Sequence, residues 1–391
     1  MKNKKILISG AGIAGLTLAY WLEKFGFEPT LIEIGDHLRN EGYMIDFFGS
    51  GYDVAEKMGI LPTLQERDYF VEGLSFVNKK GETVAKMNIR KLRKLLMDRA
   101  FAFMRGDLED TLYKKIEGKV PILFQTTITT ITQNSNGVEV TFNNGRTEKF
   151  DLLVGADGAR SNVRQIVFHN EKAFNHYLGY YTGAFIIENS FSYNANFYSY
   201  VEPGLQASIY AIRNNKLATF FVYKSEDKGW INPKLRKKSL MDTYKNVGWI
   251  IPELFDALPE DAPVFLDSLT QIKMKTWSKD RVTLIGDACD CVTLIAGQGS
   301  SLAMAGAYVL ATELKKFGGD HTQAFAQYEK RLKPEVEKIQ KMAEGLTGSF
   351  VPNTKLGIWF RNQFVKMMFW PGIRSFVLKQ FHVSNIFSEK K

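Results

Sequence analysis

The chain has 391 residues, 45% of them hydrophobic and 24% charged, which excludes a disordered or collagen-like chain and suggests two or three domains. Its 51 basic and 42 acidic side chains leave a formal charge of +9, but the lysines and arginines are scattered and form no nucleic-acid motif. A phosphorylated cofactor accounts for that bias at least as well as a polyanion does, so no nucleic-acid partner is expected.

In chain order, Ile6-Leu7-Ile8-Ser9 is an apolar run suited to a buried parallel strand. A glycine turn follows, then a helix over 16–25 with Leu18, Leu22 and Phe25 at helical spacing, closed by Gly26. Residues 29–34 read as a second strand, completing a βαβ unit. Residues 105–116 carry Leu108, Leu112 and Ile116 on one helical face. The stretch 122–150 alternates apolar and polar residues around Asn136-Gly137 and Asn144-Gly145, which predicts a three-stranded antiparallel excursion. Leu152-Leu153-Val154 is another buried strand. From 177 to 223 aromatic and polar residues alternate, which predicts an antiparallel sheet and a substrate-facing surface. Residues 282–285 return to the buried-strand pattern, 300–317 read as a helix, and Phe360, Phe364 and Met367 mark a further helix near the end. With its aromatic and basic residues, that last helix suits a membrane surface as well as a packed position.

Several segments carry no chemistry of their own. Cys289 and Cys291 are the only cysteines and stand one residue apart, so they form no disulfide framework, and a reducing cytoplasm is the default compartment. No run of about 18 apolar residues suggests a transmembrane helix. The five histidines form no clustered ligand set, so no metal is expected.

The chemistry sits in the turns. Gly10-Ala11-Gly12-Ile13-Ala14-Gly15 lies between strand and helix. The first glycine permits the turn, the second lets backbone approach a pyrophosphate, and the third lets helix pack on strand. Glu33 follows 18 residues after Gly15, where a carboxylate accepts hydrogen bonds from an adenosine ribose. This fingerprint indicates dinucleotide binding without distinguishing FAD from NAD.

Later motifs make that distinction by resemblance. Gly155-Ala156-Asp157-Gly158-Ala159-Arg160-Ser161 with Arg164 resembles the DG motif of the group A flavoprotein monooxygenases, which have the para-hydroxybenzoate hydroxylase fold. Gly286-Asp287-Ala288, followed by Ala296-Gly297-Gln298-Gly299, is similar to their GD motif and its glycine turn. Within that family, Tyr20-Trp21-Leu22, Phe25-Gly26-Phe27 and Gln271-Ile272-Lys273-Met274-Lys275 resemble segments of the tetracycline-inactivating monooxygenases. Arg39-x-x-Gly42-x-x-x-Asp46 and Arg105-Gly106-Asp107-Leu108 match two further segments of theirs. The chain departs from the pattern at Glu41-Gly42, within Val292-Thr293-Leu294-Ile295, and at Ser300 or Ser301.

The resemblance implies an α/β fold: a Rossmann-like FAD-binding domain, an interleaved antiparallel-sheet substrate domain and a C-terminal helix. The expected FAD-binding domain is discontinuous (1–70, 101–170 and 266–345), with substrate-binding segments at 71–100 and 171–265 and a helical segment at 346–391. It further implies cofactor contacts from Gly10, Gly12, Ala14, Gly15, Glu33, Arg39, Asp46, Arg105, Asp157, Asp287, Gly297, Gln298 and Gly299. NADPH or NADH would reduce the FAD, O2 would add at flavin C4a, and the hydroperoxide would hydroxylate an aromatic or polycyclic small molecule, tetracycline among the candidates. The cofactor carries the difficult chemistry, so no catalytic residue is assigned. Phe197, Tyr200, Tyr210 and Phe221 are the candidate substrate-binding residues, and the expected state is a monomer. Two readings stay open beside this one: an FAD-dependent reductase or dehydrogenase of an apolar substrate, and a non-catalytic flavin- or ligand-binding protein.

Overall fold

The structure, a computed structural model, describes residues 2–38, 43–169, 171–194, 196–227, 231–293, 297–370, 372–373 and 386. Continuous apolar runs become a six-stranded sheet in the spatial order Ser278–Lys279, Val282–Leu284, Leu152–Gly155, Lys5–Ser9, Glu28–Ile32, Ile122–Leu123. All neighbours are parallel except the first pair. Parallel strands are covered on both faces, which is why Ile6, Leu7, Ile8, Leu152, Leu153 and Val154 are all fully buried. The helices Ile13–Lys24 and Gly299–Lys316 pack together over this sheet. A three-stranded sheet of Ile128–Asn134, Gly137–Phe142 and Thr147–Phe150 contributes Val138, Val140 and Phe142 to the same core. The excursion over 122–150 therefore divides: Ile122 and Leu123 pair with Leu31 and Ile32 as the edge of the main sheet, and only the rest forms the antiparallel unit. A two-residue strand has no periodicity to read.

The second sheet runs Phe265–Ile272, Asn175–Ala184, Lys216–Lys224, Leu205–Ile212, Phe197–Glu202, Gly73–Val77, Thr83–Asn88, with Ile186–Glu188 added beside Lys216–Lys224. It is antiparallel apart from the pairing of Phe197–Glu202 with Gly73–Val77. Side chains alternate between its faces. One face packs against the helices Arg236–Tyr244 and Ile251–Asp256 through Phe185, Phe221, Tyr244, Leu254 and Phe255. The other turns inward. The helix His321–Phe350 packs on Gly299–Lys316, and its last residue, with Val351, reaches Val222 and Leu269 of the second sheet. The final described helix, Lys355–Met367, is capped by the Thr354 side chain and lies on the strands Thr83–Asn88 and Phe197–Glu202. No helix among the described residues is long and apolar enough to cross a membrane.

Candidate cofactor and substrate site

Gly10 has φ +108°, and a Cβ there would stand 2.5 Å from the Ala156 carbonyl oxygen. At Gly15 a Cβ would meet the Gly10 carbonyl oxygen at 1.9 Å. Both glycines are therefore demanded by the close approach of turn, helix and neighbouring strand. Gly12 differs: its nearest neighbours would be Glu109 Oε1 at 3.7 Å and Arg105 Nη2 at 3.9 Å, which is ordinary contact. The missing side chain at Gly12 keeps space open rather than avoiding a clash. Ala14 serves packing, since a Cβ on Gly286 would touch its methyl at 3.0 Å.

Helix Ile13–Lys24 begins at Gly12 with no side-chain cap and no acidic residue in its first turn. Helix Gly299–Lys316 begins in the same way at Gln298, directly after Gly297 at φ +62°. Two helix starts thus present free N–H groups and positive dipole ends, the arrangement that holds phosphate and electron-rich oxygen. Glu33, at the end of its strand, accepts from the Ala11 N–H at 2.9 Å and the Gly35 N–H at 3.0 Å. Its remaining lone pairs can accept from ribose hydroxyls.

Arg105 opens the helix Arg105–Ile116 and forks onto Glu109, Nη2 to Oε1 at 2.7 Å and Nη1 to Oε2 at 3.1 Å. Burial raises the pKa of Asp287, with the same guanidinium and a hydrogen bond from the Cys291 thiol opposing it. Asp287 Oδ1 lies 4.0 Å from where a Cβ on Gly299 would stand. Asp287 is crowded by protein yet open to solvent, as expected for the floor of a cleft. Asp46 has the same character: burial raises its pKa, with Arg93 opposing, while its side chain stays accessible. Tyr43 joins the group through its carbonyl, which accepts from the Arg105 N–H at 3.1 Å. Burial drives its phenol pKa up, Arg105 pulls it down, and Asp287 raises it.

Asp157 is placed differently. Its carboxylate accepts from the Ser161 hydroxyl and from the Val163 N–H at 3.0 Å, at the start of helix Asn162–Phe168, and burial raises its pKa. Arg164 is buried and donates to the carbonyls of Ala288 at 2.7 Å and Ala159 at 2.6 Å, tying the DG segment to the GD segment. Arg39, Gly42 and Ala296 lie outside the described residues. Cys289 is buried with its thiol near the Gly286 carbonyl, and burial pushes its pKa well up, so no reactive thiolate forms.

The four aromatic candidates divide by strand parity. Phe197 and Tyr210 stack on the inward face, centroids 4.6 Å apart and planes 17° apart. The Tyr210 phenolic oxygen accepts from the Met44 N–H at 3.0 Å, two residues from Asp46. Tyr200 and Phe221, expected to line the substrate site, belong instead to the other face and are core residues. Ala207 stands between them in the register, and both pack in the cluster under the outer helices. Alternation along a strand puts neighbours one residue apart on opposite faces, and aromatic content alone does not reveal which face is inward. The inward face instead adds Ser199, Ser208 and Gln206: Gln206 donates to Ser208 at 3.2 Å and Ser208 to Ser199 at 3.1 Å. Counting by two from Phe197 and Tyr210 would have found all three. Glu109 was also legible, four residues after Arg105 on a helix; Tyr43 had no signal.

The glycine cradle, the two uncapped helix starts, Glu33 and the Arg105–Asp287 pair fit FAD. Comparison with known proteins agrees. The family described as FAD binding domain matches residues 3–343. A flavin-dependent monooxygenase from Legionella longbeachae serogroup 1 is 34% identical over 358 residues, covering 90% of each chain. The solved structure of tetracycline destructase Tet(55) is 32% identical, with a TM-score of 0.85 over 99% of both chains. That of tetracycline destructase Tet(51) is also 32% identical, with a TM-score of 0.83 over 98% of this chain and 99% of the other. The chain belongs to the FAD-binding-domain family and, within it, to the flavin-dependent monooxygenases.

Proposed function

We propose that the chain oxidises NADPH or NADH and inserts one atom of O2 into an aromatic or polycyclic small molecule, releasing the other as water. The balance is substrate C–H, O2, NAD(P)H and H+ giving C–OH, H2O and NAD(P)+. Tetracycline is the first substrate to test, because two similar solved proteins are tetracycline destructases. The observation that carries this reading is the meeting of Gly12, Arg105, Asp287 and Gly299 in one cleft, with the Phe197–Tyr210 stack hydrogen-bonded to the strand that bears Asp46.

When bound, FAD supplies the electron transfer and the activation of O2. The protein's part is to bind, orient and exclude water. Glu33 holds the adenosine ribose, and the N–H groups at Gly12 and the following turn take the pyrophosphate. Arg105 neutralises phosphate or flavin oxygen, and Asp287 accepts from a ribityl hydroxyl. The uncapped helix start at Gly299 would hold an electron-rich flavin oxygen. Phe197 and Tyr210 give the substrate a flat apolar wall, while Ser199, Ser208 and Gln206 supply the few polar contacts that fix its orientation.

The test follows NADPH oxidation and O2 uptake by the FAD-loaded protein, with and without tetracycline and a panel of phenols. Substrate-stimulated O2 uptake with a product heavier by one oxygen is expected. Oxygen-independent turnover would replace this reading with a reductase, and bound FAD without turnover across the panel would replace it with a binder.

A further inference from the structure

The helix Lys355–Met367 carries a cation that the described residues do not neutralise. Arg361 places its guanidinium 4.1 Å from the centre of the Phe76 ring. Its Nε and Nη1 are buried and have no hydrogen-bond partner among the described residues. Nη2 donates to Asn362 Oδ1 at 2.9 Å, a neutral neighbour on the same helix. Burial pushes the guanidinium pKa down to about 10, with no carboxylate acting to raise it, and at that value the group is still cationic at neutral pH.

Its position ties it to the inward face of the second sheet. Phe76 pairs with Ser199, and Ser199 with Ser208, so the ring beneath the cation belongs to the row that carries the serine pair and adjoins Gln206. The Phe197–Tyr210 stack is the next row on the same face, two residues or roughly 7 Å along the strand. A half-buried guanidinium with two unsatisfied edges is unfavourable by itself, and contact with an aromatic ring offsets only part of that. What offsets the remainder is a planar anion presenting two oxygens to the fork.

We propose that Arg361 is a substrate-recognition residue, pairing with a delocalised organic anion (a carboxylate or an acidic enol) on a ring system that lies along the Phe197–Tyr210 row. Identification of this face as the substrate side rests on the function proposed above; the charge selectivity does not require turnover. Simple packing of Arg361 on Phe76 is the competing role, and it predicts no preference for anions.

Thermal unfolding of the FAD-loaded full chain separates the two, with 2-naphthoate and its uncharged methyl ester as probes. Wild type should reach the same Tm shift at a naphthoate concentration about tenfold or more below that of the ester. Arg361→Met keeps the apolar stem over Phe76 and should fold with an unliganded Tm no lower than wild type, but lose the preference. Arg361→Lys should keep part of it. Equal preference in wild type and Arg361→Met, or no effect of millimolar naphthoate on wild type, overturns the proposal. Charge-selective binding in a protein that never consumes O2 would instead sink the monooxygenase reading and leave this one standing.

Discussion

Tyr210 and Met44 join the second sheet to the two-stranded ribbon Met44–Phe48 and Ala100–Met104: the Met44 N–H donates to the Tyr210 phenolic oxygen at 3.0 Å. The ring's stacking on Phe197 is independent of that bond. Tyr210→Phe should therefore keep the stack and orphan a part-buried amide, lowering stability by about 1–2 kcal/mol. Urea unfolding measures it, and an unchanged midpoint would mean that water replaces the phenol.

Gly12 and Gly15 should separate cofactor binding from folding. Gly15→Ala drives a methyl to within 1.9 Å of the Gly10 carbonyl oxygen, so expression of folded protein should collapse. Gly12→Ala meets nothing closer than 3.7 Å and should fold with a normal circular dichroism spectrum. On the cofactor placement proposed above, its methyl stands in the pyrophosphate's path, and FAD affinity measured by fluorescence quenching should fall by about tenfold or more.

Arg105 holds a nearly buried partner, Glu109, by two hydrogen bonds. Arg105→Met removes that pairing and should destabilise the protein by about 3 kcal/mol. Combining it with Glu109→Gln should restore most of the stability while FAD affinity stays low. Recovery of both together would show that Arg105 acts on FAD only through the fold.

Asp290 gives a pH test. Its Oδ2 is buried without a hydrogen-bond partner among the described residues, and its pKa is driven well above the ordinary 3.8 by burial and then by Asp287. A carboxyl raised in the folded state contributes stability below its unfolded pKa and loses it as pH rises through the folded value. Asp290→Asn removes that loss. Urea midpoints of the protein without FAD should show the variant gaining on wild type from about pH 4 to pH 7. A difference that stays constant across the range would mean that Asp290 does not titrate.

The main sheet was legible because its strands are covered on both faces. Ile6-Leu7-Ile8 and Leu152-Leu153-Val154 have to be apolar throughout, and the glycines between them mark where backbone approaches backbone. Helix 105–116 was read with both ends correct because its apolar spacing and the Arg105–Asp107 start agree. Ile122 and Leu123 were misplaced for the opposite reason: two residues show no period, and the partner strand lies some ninety positions earlier.

Local sequence determined the dinucleotide turn, since Gly15 answers to the Gly10 carbonyl and Glu33 to the Ala11 and Gly35 N–H groups, all within one strand–helix–strand unit and the residues that follow it. What the tertiary structure decided was which side chains share a space. Arg105 comes from one segment and Asp287 with Gly299 from another far along the chain, and only packing brings both to the glycine turn. Strand parity then sent Phe197 and Tyr210 inward and Tyr200 and Phe221 into the outer core. An aromatic residue satisfies either face equally well, so its side is set by register and by the neighbours that cover it, and neither is written in the strand itself.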